Sequence, residues 1–341
     1  MRYSLIVPVY NRPDEVDELL ESLCSQTLKD FEVIIVEDGS QKPCKDVCDK
    51  YANILDLHYY YKENSGPGQS RNYGVERAHG DYVIILDSDV VLPTGYLAAV
   101  DNNVQCSMFN VQCFGGPDAA HPSFTPVQKA ISYSMTSFFT TGGIRGGKKK
   151  LDKFFPRSFN MGIRRDVYQQ LGGFSKMRFG EDVDFSYHIV EAGYQPQLFP
   201  EAWVWHKRRT DFRKFFRQVY NSGIARINLE KRHPGTMKLV HLLPMVFTLG
   251  VLGMLLLSVL SLLSPLTSHL SPLFLLPLLL YCLLLLIDST ILNKSLKVGL
   301  LSIPAAFTQL MGYGFGFIES WWKRCVLKQD EFTAFEKNFY K

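Results

Sequence analysis

Two aspartates, Asp87 and Asp89, interrupt the apolar run YVIILDSDVV at Tyr82–Val91. A buried carboxylate is costly unless it is paired or bound to a metal. Residues i and i+2 of an extended segment point to one side. A D-x-D closing an apolar strand therefore suits a hard divalent cation whose shell phosphate oxygens complete. Other groups with chemical potential lie in the same two thirds of the chain. Asp38 ends the apolar run FEVIIVEDGS, although Asp-Gly-Ser is also good turn chemistry. Arg71, in GPGQSRN, opens a helix-like segment, a place suited to anions. Tyr10 follows VPV, where an aromatic ring could stack on a base. FGEDVDF places Glu181, Asp182 and Asp184 within four residues, at a helix start where acids commonly meet the dipole. His206 follows the aromatic WVW. Taken singly, each has an ordinary structural explanation as a turn, cap, surface or packing residue.

Such residues work only if elements hold them together. YSLIVPVYN has the pattern of a strand, and RPDEVDELLESLCSQTL has helical spacing through Val16, Leu19, Leu20, Leu23 and Leu28. FEVIIVEDGS, LHYYYKEN and DYVIILDSDV are three further strands, separated by the helices KPCKDVCDKYANI and GPGQSRNYGVERAHG. This β-α-β-α-β-α-β rhythm predicts a mostly parallel sheet covered on both faces. Functional groups on such a sheet belong at the carboxyl ends of its strands. Between Val104 and Trp205 the pattern is less regular. TGGIRGGKKK (Thr141–Lys150) is expected to be a loop, and FNMGIRRDVYQQLGGF a strand and short helix closed by Gly172-Gly173. GEDVDFSYHIVEAGY starts a helix with Phe185, Ile189 and Val190 facing inward. On that helix i and i+2 point about 200° apart, so only one of Asp182 and Asp184 can face a substrate. Asp182, three positions before Phe185 in the first turn, is the one expected to project into the cleft.

The last third differs in character. DFRKFFRQVYNSGIARINLEK spaces Phe212, Phe215, Phe216, Val219, Tyr220, Ile224 and Ile227 helically among basic residues, which suits a membrane interface. Residues 239–287 contain no Asp, Glu, Lys or Arg. A span needs about 20 apolar residues, so this run is expected to form two membrane helices, 239–263 and 271–292, joined through SPLTSHLSP. A weaker third stretch, Val298–Ile318, carries Gln309 and precedes Trp321-Trp322. Basic residues flank the first pair, and Lys323, Arg324 and Lys328 favour a cytoplasmic C-terminus, which three spans would not allow. The expected divisions are 1–210, with halves 1–103 and 104–210, then an interfacial helix at 211–238, a membrane region at 239–322 and a tail at 323–341.

Composition limits the functional classes. The 341 residues carry 37 Lys plus Arg against 33 Asp plus Glu, a net charge of +4 that does not mark a nucleic-acid binder. The mean hydropathy of −0.03 conceals the apolar last third. Seven cysteines without a C-x-x-C argue against a disulfide framework or zinc site, and Cys44 and Cys48 are expected to be reduced thiols. MRYSLIVPVYNRPDE lacks the pattern of a signal peptide.

The motifs PVYN, VEDGS, GPGQSRNYG, LDSDV, GGF…GEDVDF and VWH occur in this order. That ordered set resembles the family 2 glycosyltransferases, over roughly residues 3–210. The resemblance implies an α/β GT-A fold followed by membrane helices. It places Pro8 and Tyr10 at the nucleobase, Asp38 in a hydrogen bond to the base, Arg71 on the nucleotide, and Asp87 on the ribose or metal. Asp89 would bind the metal, Mg²⁺ or Mn²⁺, with His206 near the metal-diphosphate end. Asp182 would be the catalytic base, with Glu181 and Asp184 on the acceptor side. Glu37 stands where many members have Asp, and His188 where an Arg often follows the acidic motif. The Q-x-x-R-W motif of processive synthases is absent, which favours transfer of a single sugar. The expected enzyme is inverting and metal-dependent. It would use a nucleotide sugar and a lipid-linked saccharide on the cytoplasmic face of the inner membrane, among membrane lipids and without nucleic acid. A polyprenyl-phosphate glycosyltransferase, a nucleotidyltransferase and a membrane scaffold with a degenerate nucleotide site are the alternatives.

Overall fold

The first strand, β1 (Tyr3–Val9), is apolar on both faces because helices cover both. Its odd residues Leu5 and Val7 join Val33, Ile35 and the helix residues Val16, Leu19 and Leu20 in one core. Ile6 points the other way, to Ile34, Val36, Val75 and Phe185. The computed structural model describes residues 3–107, 110–141, 154–207, 210–263 and 271–335. The chain divides into two compact units, Met1–His121 with Lys150–Lys207, and Pro122–Lys149 with Arg208–Lys341.

In the first unit, α1 (Pro13–Cys24), β2 (Phe31–Asp38), α2 (Lys45–Tyr51), β3 (Leu57–Lys62), α3 (Pro67–Val75) and β4 (Tyr82–Leu86) follow β1, as the rhythm predicts. β5 (Val90–Val91), α4 (Tyr96–Cys106), β6 (Cys113–Gly115) and β7 (Asp118–Ala119) come next. The chain then passes through α5 (Pro126–Thr136) and α6 (Phe138–Thr141), which belong to the second unit. It returns as β8 (Asn160–Arg164), α7 (Arg165–Leu171), α8 (Glu181–Glu191), β9 (Gln197–Leu198) and β10 (Val204–His206). The main sheet has the order β3-β2-β1-β4-β8-β6-β9, and β5-β10-β7 form a small second sheet. β3, β2, β1 and β4 are mutually parallel, whereas β8 runs antiparallel to both β4 and β6. The connections leave β1 toward β2 and β3, then cross back through α3 to β4 on the other side of β1. The loops after β1 and β4 therefore diverge and leave a crevice at their carboxyl ends.

The second unit continues with α9 (Phe212–Arg232), α10 (Leu243–Leu262), α11 (Ser271–Asn293) and α12 (Leu296–Trp321). Two differences from the sequence expectations stand out. Pro122–Lys149, expected inside the 1–210 domain, clusters instead with the C-terminal helices. α9 is shorter than the expected 211–238, and its Phe215 and Val219 are buried with Ile131 and Met135 of α5. That apolar face is consumed within the protein, which the periodicity of one helix could not reveal. Of the two or three membrane helices expected, three are long and apolar enough to cross a membrane: Leu239–Leu262, Ser271–Asn293 and Leu296–Val326. Of the expected loop at Thr141–Lys150 all but Thr141, and most of the turn at 264–272, lie outside the described residues.

Candidate active site

Asp87 and Asp89 occupy the turn between β4 and β5. Backbone pairing then imports the third partner. β10 runs antiparallel to β5, with His206 opposite Val90 and Trp205 opposite Val91, and the Lys207 N–H donates to the Asp89 carbonyl at 3.0 Å. The His206 Nε2 consequently lies 3.2 Å from Asp89 Oδ1 and 4.0 Å from Asp87 Oδ2. One ligand atom from each of the three lies within 4.8 Å of the others. Phe159 stacks on the His206 ring, with centroids 5.0 Å apart. The buried Nδ1 of that ring makes no hydrogen bond among the described residues. Two carboxylates and an imidazole form a donor set that fits a divalent cation.

Two arginines enclose this cluster. Arg12, just beyond β1, ion-pairs with Asp89 Oδ2 across the crevice. The charge of Asp89 raises the Arg12 pKa, against the opposing effect of burial. Arg71 comes from α3 and is buried, with Nη2 2.9 Å from Asp87 and Nη1 2.8 Å from Glu181. Burial alone would lower its pKa, but the two carboxylates outweigh that effect and hold the guanidinium charged. It also lies over the Phe174 ring, 5.1 Å from the centroid. One side chain thus ties the D-x-D turn to the first turn of α8.

The acids of that turn separate into different environments. Burial pushes the Glu181 carboxyl up to about 7; Arg71 opposes this and neighbouring Asp182 reinforces it. Arg71 cannot fully compensate because Asp87 shares its charge. Asp182 is partly exposed, and its Oδ2 lies 3.0 Å from the Arg157 Nε. Asp184 is wholly buried and accepts a 2.6 Å hydrogen bond from the Ser175 hydroxyl. Gly180, at φ +82°, lets the chain turn into α8. Asn72 of α3 fixes the approach to this turn, donating to the Phe174 carbonyl at 2.8 Å and accepting from the Phe174 N–H at 2.9 Å.

A second set of loops flanks the crevice at the end of β1 and β2. The buried Asp38 carboxylate accepts from Lys62 Nζ at 2.6 Å and from the Ser65 and Gly66 N–H groups at 2.9 Å. Asn11, at φ +54°, receives the Gln41 and Lys42 N–H groups on its side-chain oxygen at 2.7 and 2.9 Å. Glu37 accepts from the Cys44 N–H at 2.7 Å and from the Ser40 hydroxyl. These bonds clamp the turn at Tyr10 and Asn11, just after the β1 residue Pro8, to the loop after β2. Pro8 and Tyr10 are both half-buried there.

The structure therefore joins Arg71, Asp87, Asp89, Glu181 and His206 in one network, with Asp182 beside it. Pro8 and Asp38, near the carboxyl ends of β1 and β2, and Tyr10 just after β1 form a neighbouring set, and Asp184 is turned into the protein. Sequence reasoning did not single out Arg12, Asn72, Arg157 or Phe159. Arg12, directly after PVYN, carried a usable signal as a basic residue at a strand end. Arg157 and Phe159 lie in a stretch without periodicity.

The family model for Glycosyl transferase family 2 matches residues 4–172. An uncharacterized glycosyltransferase of Rickettsia felis is 39% identical over 88 residues, 26% of this chain and 15% of that protein. The putative glycosyltransferase EpsH of Bacillus subtilis is 40% identical over 87 residues, 25% of each chain. The chain thus spans a quarter or less of the length of these two relatives. The mannosyltransferase PcManGT of Pyrobaculum calidifontis, solved with GDP-Man and Mn²⁺, superposes with a TM-score of 0.57 at 17% identity, covering 95% of this chain and 88% of that one. The parallel sheet, the crevice beside β1 and the match over residues 4–172 together place the chain in glycosyl transferase family 2, with a GT-A fold.

Proposed function

We propose that this protein transfers a single sugar from a nucleoside-diphosphate sugar to a membrane-associated acceptor, a lipid-linked saccharide, with inversion at the anomeric carbon. The observation carrying this reading is the convergence of Asp87, Asp89 and His206 in the crevice, tied through Arg71 to the turn that bears Asp182. Asp87, Asp89 and His206 would hold Mg²⁺ or Mn²⁺, which supplies charge compensation for the departing nucleoside diphosphate. Pro8 and Tyr10 line the base pocket, and Asp38 faces it from the loop held by Lys62 and Gly66. Arg71 keeps the carboxylates of the D-x-D turn and α8 in register. Asp182 accepts the proton of the acceptor hydroxyl. The acceptor oxygen then bonds to the anomeric carbon from the face opposite the leaving diphosphate. A base must be reachable by its substrate, and Asp182 is more exposed than Glu181 or Asp184. Arg157 must leave Asp182 for this to occur, whereas Asp184 braces Ser175.

The three apolar helices support attachment to a membrane. The flanking basic residues favour the cytoplasmic face of the inner membrane for the catalytic unit. The test is to incubate membranes bearing the protein with a panel of UDP- and GDP-sugars. Release of nucleoside diphosphate, with the sugar appearing in the lipid fraction, is the expected result. Release of pyrophosphate would instead establish nucleotidyl transfer and overturn the proposal.

A further inference from the structure

α12 satisfies length and composition criteria for a membrane span, yet its surroundings differ from those of α10 and α11. α10 exposes Val246, Leu249, Leu252, Leu256, Val259 and Leu262 along its whole length. α11 exposes Leu273, Leu276, Leu279, Leu280 and Leu283. Among the described residues, α12 exposes no large apolar side chain between Leu300 and Trp321.

α5, α10 and α11 pack on parts of α12 through apolar contacts, and α9, which covers another face, is polar on its outer side. α9 lies parallel to α12 at close range. A Cβ on Gly316 would sit 2.0 Å from the Tyr220 carbonyl oxygen, and one on Gly223 would sit 2.2 Å from that of Tyr313. Ser320 Oγ donates to the Ile224 carbonyl at 3.2 Å, and Lys231 Nζ to the Arg324 carbonyl at 2.8 Å. α9 exposes Arg213, Lys214, Lys231 and Arg232. If α12 crossed the hydrocarbon, these charges would be carried along with it.

The segment after α12 makes that path more costly. It leaves the helix and runs back along α9 without helix or strand. Arg232 pairs with Glu331 at 2.9 Å, and Asn228 donates to the Phe332 carbonyl at 3.4 Å. The buried Asn221 amide exchanges two hydrogen bonds with the Ala334 backbone, at 3.1 and 2.9 Å. Non-helical backbone exposed to lipid is not tolerated at membrane depth. Near the first part of α12, the one carboxylate of α11, Asp288, accepts from the Tyr133 hydroxyl of α5 at 2.7 Å.

We propose that only the α10–α11 hairpin enters the lipid, and that α12, α9 and the C-terminal segment form a platform on one side of the bilayer. Twenty residues of α10 span about 30 Å, the thickness of the hydrocarbon core. The base of the hairpin is basic, with Lys238 before α10 and Lys294 and Lys297 after α11, whereas the hairpin itself is uncharged up to Asp288. The partner is thus bilayer lipid, with anionic headgroups at the basic rim. The last described residues, through Ala334, lie against Asn221 of α9, and the start of α9 follows the first unit by a few residues in the sequence.

Two native cysteines supply the test, because Cys106 in the first unit and Cys325 just after α12 are both exposed. Full-length chains retaining one or the other are placed in sealed vesicles and probed with a membrane-impermeant maleimide from each side. Labelling of both from the same side, with the protein resisting carbonate extraction, is the expected result. Labelling of Cys325 from the side opposite Cys106 would establish α12 as a span and overturn the inference. Release of the protein by carbonate would overturn it too, because the hairpin would then not be inserted. Neither readout depends on sugar transfer, so failure of the enzymatic proposal would be seen separately.

Discussion

At the residue scale, the site assigns different tasks to chemically similar acids. Asp89 meets His206 and Arg12, so its charge holds the cluster together. Asp89→Asn should abolish metal-dependent binding of the nucleotide sugar while the fold survives; calorimetry with and without chelator measures this, and unchanged binding would remove Asp89 from the site. Asp182→Asn should lower transfer by about 10²-fold or more, as removal of a general base does, with donor binding retained. Asp184→Asn keeps an acceptor for Ser175 and should be milder; kcat for the two variants decides between them. Glu181 makes a pH-dependent contribution. Its folded carboxyl ionises only near about 7 instead of 4.5, so the folded state holds an extra proton between those values. Stability must then fall as pH rises through that window. Glu181→Gln keeps a partner for Arg71 but cannot titrate, so its melting temperature should decline less than that of wild type between pH 5 and 7. Parallel curves would contradict the assignment.

At the scale of elements, two short pairings decide the geometry. β5 and β10 have only two and three residues, yet their register sets His206 beside Asp89. The α9–α12 contact depends on glycine in a different way, since a side chain at Gly316 would collide with Tyr220 backbone. Gly316→Leu should therefore cost about 1–3 kcal/mol, typical of overpacking, and lower the thermal midpoint in detergent. Gly250→Leu on α10, where a Cβ meets nothing within 4 Å, is the matched control and should change little. Equal effects from the two substitutions would show that the close approach contributes nothing.

At the scale of the whole molecule, the second unit is not an appendage that can be trimmed cleanly. Phe215 and Val219 look like lipid-facing residues by spacing, but α5 covers them, and Gly312 of α12 approaches the Val219 side chain. A chain ending before Leu239 would leave the α12-facing side of α9 bare. It should self-associate and remain sedimentable in high salt. A monodisperse protein released by salt would instead favour a purely interfacial α9. Size-exclusion chromatography after a salt wash distinguishes the two.

Apolar runs bounded by turn residues were enough to determine β1, β2 and β4, because a strand buried on both faces must be apolar throughout, and the aromatic run of half-buried β3 marked the fourth parallel strand. Asp38, Asp87 and Asp89 were legible for the same reason: a carboxylate is conspicuous where an apolar run ends. Gly172-Gly173, both at positive φ, marked the end of α7 correctly. The uncharged stretch 239–287 likewise announced its hairpin. Only the tertiary structure decided that His206 reaches Asp89, that Arg71 bridges Asp87 and Glu181, and that Arg157 meets Asp182. These contacts join residues far apart in the chain, through β5–β10 register and the docking of α3 on the Phe174 turn. It also decided that 122–149 belongs with the C-terminal helices and that α12 is wrapped by α9. Hydropathy measures what a segment could bury, whereas the partner that buries it is set by packing.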